Sequence, residues 1–159
     1  MNAVYLFDWG DTLMMDIPGL AGPMCDWPRV ETVPGAREAL QCLAARARLY
    51  LATGARDSTE AQIRRALFRV GLDACLSGYF CQANLGIGKG SADFYLEIVH
   101  RLQVPPQQVT MVGDSLEKDI LPALEAGLQA IWFNPDGQQA KLPASCRQIT
   151  SLVQLCTGP

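Results

Sequence analysis

Basic residues are in short supply in this 159-residue chain: 13 Lys and Arg stand against 16 Asp and Glu, a net charge of −3. With no cationic surplus to neutralise phosphates, nucleic-acid binding is not expected. Histidine occurs once, as His100, and the six cysteines (Cys25, Cys42, Cys75, Cys81, Cys146 and Cys156) contain no Cys-x-x-Cys pair. The clustered thiolates or imidazoles of a structural zinc site are therefore missing. No apolar run approaches the ~20 residues of a membrane span. The N-terminus has no basic start, and its apolar run from Ala3 to Phe7 meets Asp8, so a secretory signal is not expected. The chain reads as a cytoplasmic protein whose cysteines are buried, apolar free thiols. Hydrophobic residues, at 49% against 18% charged, are too abundant for disorder. The length suits one domain with its own core.

Apolar runs and helical stripes alternate along the chain. Residues 3–9 form an apolar run, ending in polar residues at Asp8, that predicts a buried strand, and Pro34 to Arg46 carries Ala36, Ala39, Leu40 and Leu43 on one helical stripe. A second strand is expected over 48–53. A helix follows, with Asp57 and Glu60 as its capping box and Ile63, Ala66, Leu67 and Val70 as its apolar face, closed by Gly71. Further expectations are a weak strand over 79–83, a helix capped by Ser91 and running to about Leu102, and a strand over 109–112. A helix over 116–126, a strand over 130–133, a short strand over 147–149 and a half-helix over 151–155 complete the set. This alternation predicts an α/β fold: a Rossmann-like three-layer sandwich with a mostly parallel central sheet and helices on both faces.

In such folds ligands bind beyond the carboxyl ends of the strands, so the residues standing there decide the chemistry. Asp8 follows the first strand, with Asp11 and Thr12 close behind. Thr53 and Gly54 follow the second, and Gly113, Asp114 and Ser115 the fourth. Four segments occur in order: Phe7-Asp8-Trp9-Gly10-Asp11-Thr12-Leu13, Leu51-Ala52-Thr53-Gly54, Lys89, and Met111-Val112-Gly113-Asp114-Ser115 with Asp119. Together they resemble the haloacid dehalogenase-like (HAD) hydrolase superfamily over residues 3–135.

The resemblance implies a phosphatase-like chemistry that the residues can support. A carboxylate at a strand end, Asp8, can attack phosphorus and form an aspartyl-phosphate. Two anions repel, so a cation is needed between them, and Mg²⁺ suits a few carboxylate oxygens plus water and substrate oxygens. The expected ligands are Asp8, Asp114 and, as the resemblance implies, the Gly10 carbonyl. Thr53 with the amides of Gly54 and Ala55 would hold phosphoryl oxygens, and Lys89 would supply a point positive charge. Asp119 and Ser115 would stand behind these groups, with Asp119 orienting Lys89 or a metal-bound water.

The first segment departs from the family's Asp-x-Asp-Gly-Thr. Gly10 occupies the place of the second acid, which in the superfamily's phosphatases protonates the leaving oxygen and later activates water. Asp11 either reaches in from the next position or only ties down its loop. The leading reading is therefore a Mg²⁺-dependent phosphomonoester hydrolase of unknown substrate. Its alternative is a catalytically degenerate HAD-fold binding or regulatory protein. The dehalogenase branch carries Tyr-Gly-Thr in this stretch, which the chain lacks. A receiver-type signalling domain ends its third strand, not its first, in the acceptor aspartate. Neither gap between the four segments holds a separate cap domain, so residues 1–159 read as one domain. Residues 14–33 form a short insert that is an apolar flap over the site, a homodimer interface or a loop packed on its own domain.

Overall fold

Apolar segments too short for helices form the sheet. In the computed structural model, which describes residues 3–157, the strands are β1 (Val4–Phe7), β2 (Arg48–Ala52), β3 (Gly78–Phe80), β4 (Val109–Gly113), β5 (Gln129–Phe133) and β6 (Cys146–Ile149). They lie in the order β3-β2-β1-β4-β5-β6, and every neighbouring pair is parallel. Side chains alternate across a pleated strand. Val4 and Leu6 of β1 accordingly join one core and Phe7 the other. The core of Phe7 packs the sheet against α1 (Ala36–Ala44), α2 (Glu60–Phe68) and a C-terminal 3-10 turn, Leu152–Cys156. The core of Val4 and Leu6 packs it against α4 (Ala92–Leu102) and α5 (Leu121–Glu125), after the short α3 (Gln82–Leu85). The expected α/β sandwich is what forms.

Several local expectations are corrected. The third strand ends at Phe80, because the Asn84 side chain accepts from the Cys81 amide at 3.0 Å and turns the chain into α3. The capping box is Thr59 with Gln62, not Asp57 with Glu60: Thr59 Oγ1 accepts from the Gln62 amide and Gln62 Oε1 from the Thr59 amide. Ser91 stands at the N-cap of α4, but its hydroxyl makes no capping bond.

The expected helix over 116–126 is divided. Residues Leu116–Ile120 wind as a wider π turn before α5 begins. Pro122 has no N–H to offer the carbonyl of Lys118, one turn back. The buried Tyr95 hydroxyl donates to that carbonyl instead, at 2.8 Å.

The cysteines are not all free. Cys42 of α1 and Cys156 of the last turn form a disulfide, with Cα atoms 5.9 Å apart. Burial of Leu152 and Leu155 against α1 brings the two together across 114 residues of chain. Of the remaining four, only Cys81 is fully buried.

The insert of residues 14–33 packs onto the sheet's own domain. Met14 bridges to Gly10 and Thr32, and Met24 and Trp27 are buried. Arg69, just past α2, donates to the carbonyls of Trp27 and Cys25. Among the described residues no separate cap domain is present, and no helix is long and apolar enough to cross a membrane.

Candidate active site

The strand order reverses at β1, whose neighbours are β2 on one side and β4 on the other. The first residues beyond β1 and β4 therefore face a single crevice. Phe7 pairs with Val112, and the Asp8 amide continues the ladder by donating to the Val112 carbonyl at 3.0 Å. That register sets Asp8 beside Asp114. The buried Thr12 hydroxyl lies 3.2 Å from Asp8 Oδ2 and 3.2 Å from Asp114 Oδ1, so its single proton is shared between them. Trp132 of β5 fixes the Asp114 backbone by donating to its carbonyl at 2.9 Å.

Lys89 reaches the same place from the loop between α3 and α4. Its ammonium lies 2.8 Å from Asp8 Oδ1 and 2.6 Å from Asp119 Oδ1, and it also donates to the Ala52 carbonyl at 2.8 Å. Asp119 accepts from the Ser115 amide at 3.0 Å with its other oxygen, so both of its oxygens are engaged. Ser115 Oγ accepts from the Lys118 amide and caps the π turn. Glycines permit this closeness. A Cβ on Gly113 would fall 2.2–2.6 Å from the Asp119 side chain, and one on Gly54 would fall 3.1 Å from Lys89 Cβ. The Gly-Asp-Ser and Thr-Gly pairs thus leave room for the charges beside them.

Thr53 is buried, and its amide donates to the Phe80 carbonyl at 3.0 Å. Its hydroxyl accepts from the Ala55 amide at 3.1 Å, which leaves the hydroxyl proton free to donate elsewhere. The Ala55 amide is therefore engaged, and the Thr53-Gly54 turn is separate from α2, which starts only after Thr59. A cleft of about 500 Å³ joins Asp8, Thr53, Gly54, Lys89, Asp114, Ser115 and Asp119. Leu20, Met24 and Trp27 of the insert form an apolar wall on it.

Asp11 does not join this group. It adopts a left-handed conformation (φ 60°), and its carboxylate accepts from the Asp16 amide at 3.0 Å. It lines a different cavity, with Phe133 and Asn134. Of its two expected roles, this placement matches the second, tying down the loop, and sets Asp11 outside the cleft of Asp8. Gly10 lies between the hydrogen bonds that link the Trp9 and Met14 segments, and none of the loop's backbone bonds uses its carbonyl. Three further participants carried no sequence signal: Tyr95, Trp132 and Asp16.

The electrostatics follow from crowding. Burial pushes the Asp8 carboxyl up, but the adjacent Lys89 ammonium, together with hydrogen bonds to Asp114, Lys89 and the Trp9 backbone, holds Asp8 below the usual carboxylate range. Burial and the neighbouring Asp8 push Asp114 up to about 7. Burial and the Asp8 charge push Asp119 up to about 6, against the pull of Lys89. A carboxyl whose folded pKa is raised binds more protons folded than unfolded, so its contribution to stability falls as pH rises from about 4 towards 7. With divalent ions chelated, the stability of the native chain relative to Asp114→Asn should therefore decline over that window. Urea midpoints of both proteins measured from pH 4.5 to 7.5 check this, and a constant difference would contradict it.

Comparisons with known proteins accord with this geometry. A family model for hydrolases described as haloacid dehalogenase-like matches residues 20–127. No curated protein matches by sequence. Among solved structures, an uncharacterized protein from Listeria monocytogenes serotype 4b is similar at 21% identity and a TM-score of 0.83, over 98% of this chain and 95% of that one. A 2-haloacid dehalogenase from Pseudomonas syringae is similar at 20% identity and 0.77, over 98% and 96%. A HAD phosphatase from Thermococcus onnurineus is similar at 26% identity and 0.69, over 80% of this chain and 58% of that one.

Proposed function

The chain belongs to the haloacid dehalogenase-like hydrolase family, and from that premise we propose that it is a Mg²⁺-dependent phosphomonoester hydrolase acting through Asp8. The observation that carries the reading is the cluster of Asp8, Asp114 and Asp119, whose carboxylate oxygens lie within 4.8 Å of one another. Displacement of halide from a 2-haloacid attacks a neutral carbon, with the substrate's single carboxylate to one side, and does not press a dianion against this cluster. Transfer of a phosphoryl dianion does, and hard oxygen donors fit the cation that makes it possible. The Gly10 carbonyl and the carboxylates of Asp8 and Asp114 would hold Mg²⁺, which supplies charge neutralisation between nucleophile and phosphate. Asp119 is saturated by Lys89 and Ser115, which suits a supporting role.

The chain's own groups then divide the work. Asp8 attacks phosphorus, held in one orientation by Lys89 and Thr12. Lys89 carries positive charge to the phosphoryl oxygens. The free hydroxyl proton of Thr53 and the amide of Gly54 donate to those oxygens, stabilising charge as it develops. Leu20, Met24 and Trp27 limit bulk water on one side. Residues 1–159 act as one domain in this reading, with 14–33 as a short flap.

Release of phosphate from 4-nitrophenyl phosphate is expected with millimolar Mg²⁺, to be lost on adding EDTA and restored by excess Mg²⁺. Chloride release from 2-chloropropionate without phosphatase activity would make the chain a dehalogenase instead. Bare Gly10 favours a second reading, a binding protein without turnover. Stabilisation by Mg²⁺ of about 2.7 kcal/mol at one hundred times its Kd, with no hydrolysis across a broad ester panel, would establish that reading.

A further inference from the structure

Gly10 leaves the site without the acid that should protonate the leaving group, yet the space beside it is not empty of acids. We infer that Asp16 is the catalytic acid and base of this site, entering from the insert; the inference rests on the phosphatase reading above. Apart from Gly10 itself and its chain neighbours Trp9 and Asp11, a Cβ built on Gly10 has one heavy atom within 4 Å, and that atom is the Cβ of Asp16, at 4.0 Å. The Asp16 side chain therefore starts in van der Waals contact with the place where a side chain at position 10 would start. Asp16 lines the same cleft as Asp8, Thr53 and Lys89. Its carboxylate accepts no hydrogen bond and forms no ion pair among the described residues, and it is exposed to the cleft. Asp57, the other unassigned acid of the cleft, accepts from Ser58 Oγ at 3.4 Å and follows β2, away from Gly10 in the chain.

Two bonds hold Asp16 in place. Its amide donates to Asp11 Oδ1 at 3.0 Å, and the preceding Met15 amide donates to the Glu31 carbonyl at 2.8 Å. Asp11 thus becomes a positioning residue for the acid rather than the acid itself. The insert does what the first motif leaves undone.

The reaction balances with these groups. An Asp8 oxygen bonds to phosphorus as the ester P–O bond breaks, and its electron pair stays on the leaving oxygen, which takes the proton from the Asp16 carboxyl. Water then attacks the same phosphorus and gives its proton to the Asp16 carboxylate. The Asp8 O–P bond breaks, freeing phosphate and restoring both aspartates.

The test compares the native chain, Asp8→Asn, Asp16→Asn and Gly10→Asp/Asp16→Asn on phenyl phosphate and 2,4-dinitrophenyl phosphate with Mg²⁺. Asp16→Asn should lower kcat on phenyl phosphate about 100- to 10,000-fold. Its melting temperature should not change, since the side chain is unengaged. On the dinitrophenyl ester, whose leaving group needs no proton, Asp16→Asn should release a burst of one equivalent and then turn over slowly. The double variant should recover activity on phenyl phosphate. Asp11→Asn, which keeps both the acceptor oxygen and the tolerance of positive φ, should stay near the native rate, whereas Asp11→Ala should fall. Native rates for Asp16→Asn beside a dead Asp8→Asn would overturn the inference and leave the phosphatase reading standing. Equal losses on both esters, with no burst and no recovery in the double variant, would do the same. No turnover by the native chain would overturn both.

Discussion

Asp8→Asn is expected to reduce phosphate release by on the order of 10⁴-fold or more, because an amide oxygen cannot form the covalent intermediate. The change is nearly isosteric. Asn still offers an acceptor to the Lys89 ammonium, which lies 2.8 Å from Asp8 Oδ1. It also removes one of the charges that push Asp114 up to about 7. Folding should therefore survive, and circular dichroism with urea unfolding would separate a dead site from an unfolded chain. Acid-quenched protein incubated with radiolabelled phosphate ester should carry label in the native chain and none in the variant. Retention of the native rate would remove Asp8 from the chemistry and the proposed mechanism with it.

Lys89→Met should be the most damaging single change to stability, by about 3–5 kcal/mol. All three ammonium protons of Lys89 have partners: Asp8, Asp119 and the Ala52 carbonyl. The side chain is only 3% exposed, and Asp119 is 1% exposed. Burial alone would lower the lysine's pKa, but Asp8 and Asp119 raise it far enough to hold the charge. A raised lysine pKa contributes stability fully below its unfolded value, and that contribution is lost only as pH rises through the folded one. The lysine's own contribution is thus insensitive to pH near neutrality, and any pH dependence of the bridge there comes from Asp119, pushed up to about 6. Methionine fills the volume but leaves two buried carboxylates facing each other. Adding Asp119→Asn to Lys89→Met should recover part of the loss, since it removes one of those stranded charges. Urea unfolding of the single and double variants measures the coupling. A loss below about 1 kcal/mol would mean that water reaches this bridge as it reaches surface pairs.

Much of this arrangement is legible in the sequence because it rests on local signals. Continuous apolar runs mark β1, β2 and β4, and the acids and hydroxyls immediately after them reach the crevice because parallel strands all end on one edge. Asp8, Thr53, Lys89 and Asp114 meet there as expected. Features set by distant contacts are not legible. Nothing in the spacing of Cys42 and Cys156 announces a disulfide, since it depends on how Leu152 and Leu155 bury against α1. Cys81 looks like the continuation of a strand until the Asn84 side chain takes its amide. Asp11 and Asp16 are separated only by the course of one loop: the motif makes Asp11 conspicuous, whereas Asp16 lies in an insert with no signature. Glycine at position 113 reads as part of a motif. Its physical reason, the side chain of Asp119 lying where a methyl group would be, appears only in three dimensions.

The pairing of β1 with β4 also bears on how the chain is made. Thr12 and the Asp114 it bonds are 102 residues apart. During synthesis β1 can pair with β2 early, but its other edge stays open until β4 has left the ribosome. Leu6 and Phe7 then sit on an unpaired strand edge, a template for aggregation of the nascent chain. No fragment that stops short of β4 can bring Asp8 and Asp114 together. The carboxylate cluster is therefore completed in a single late step of folding, and such a fragment lacks it.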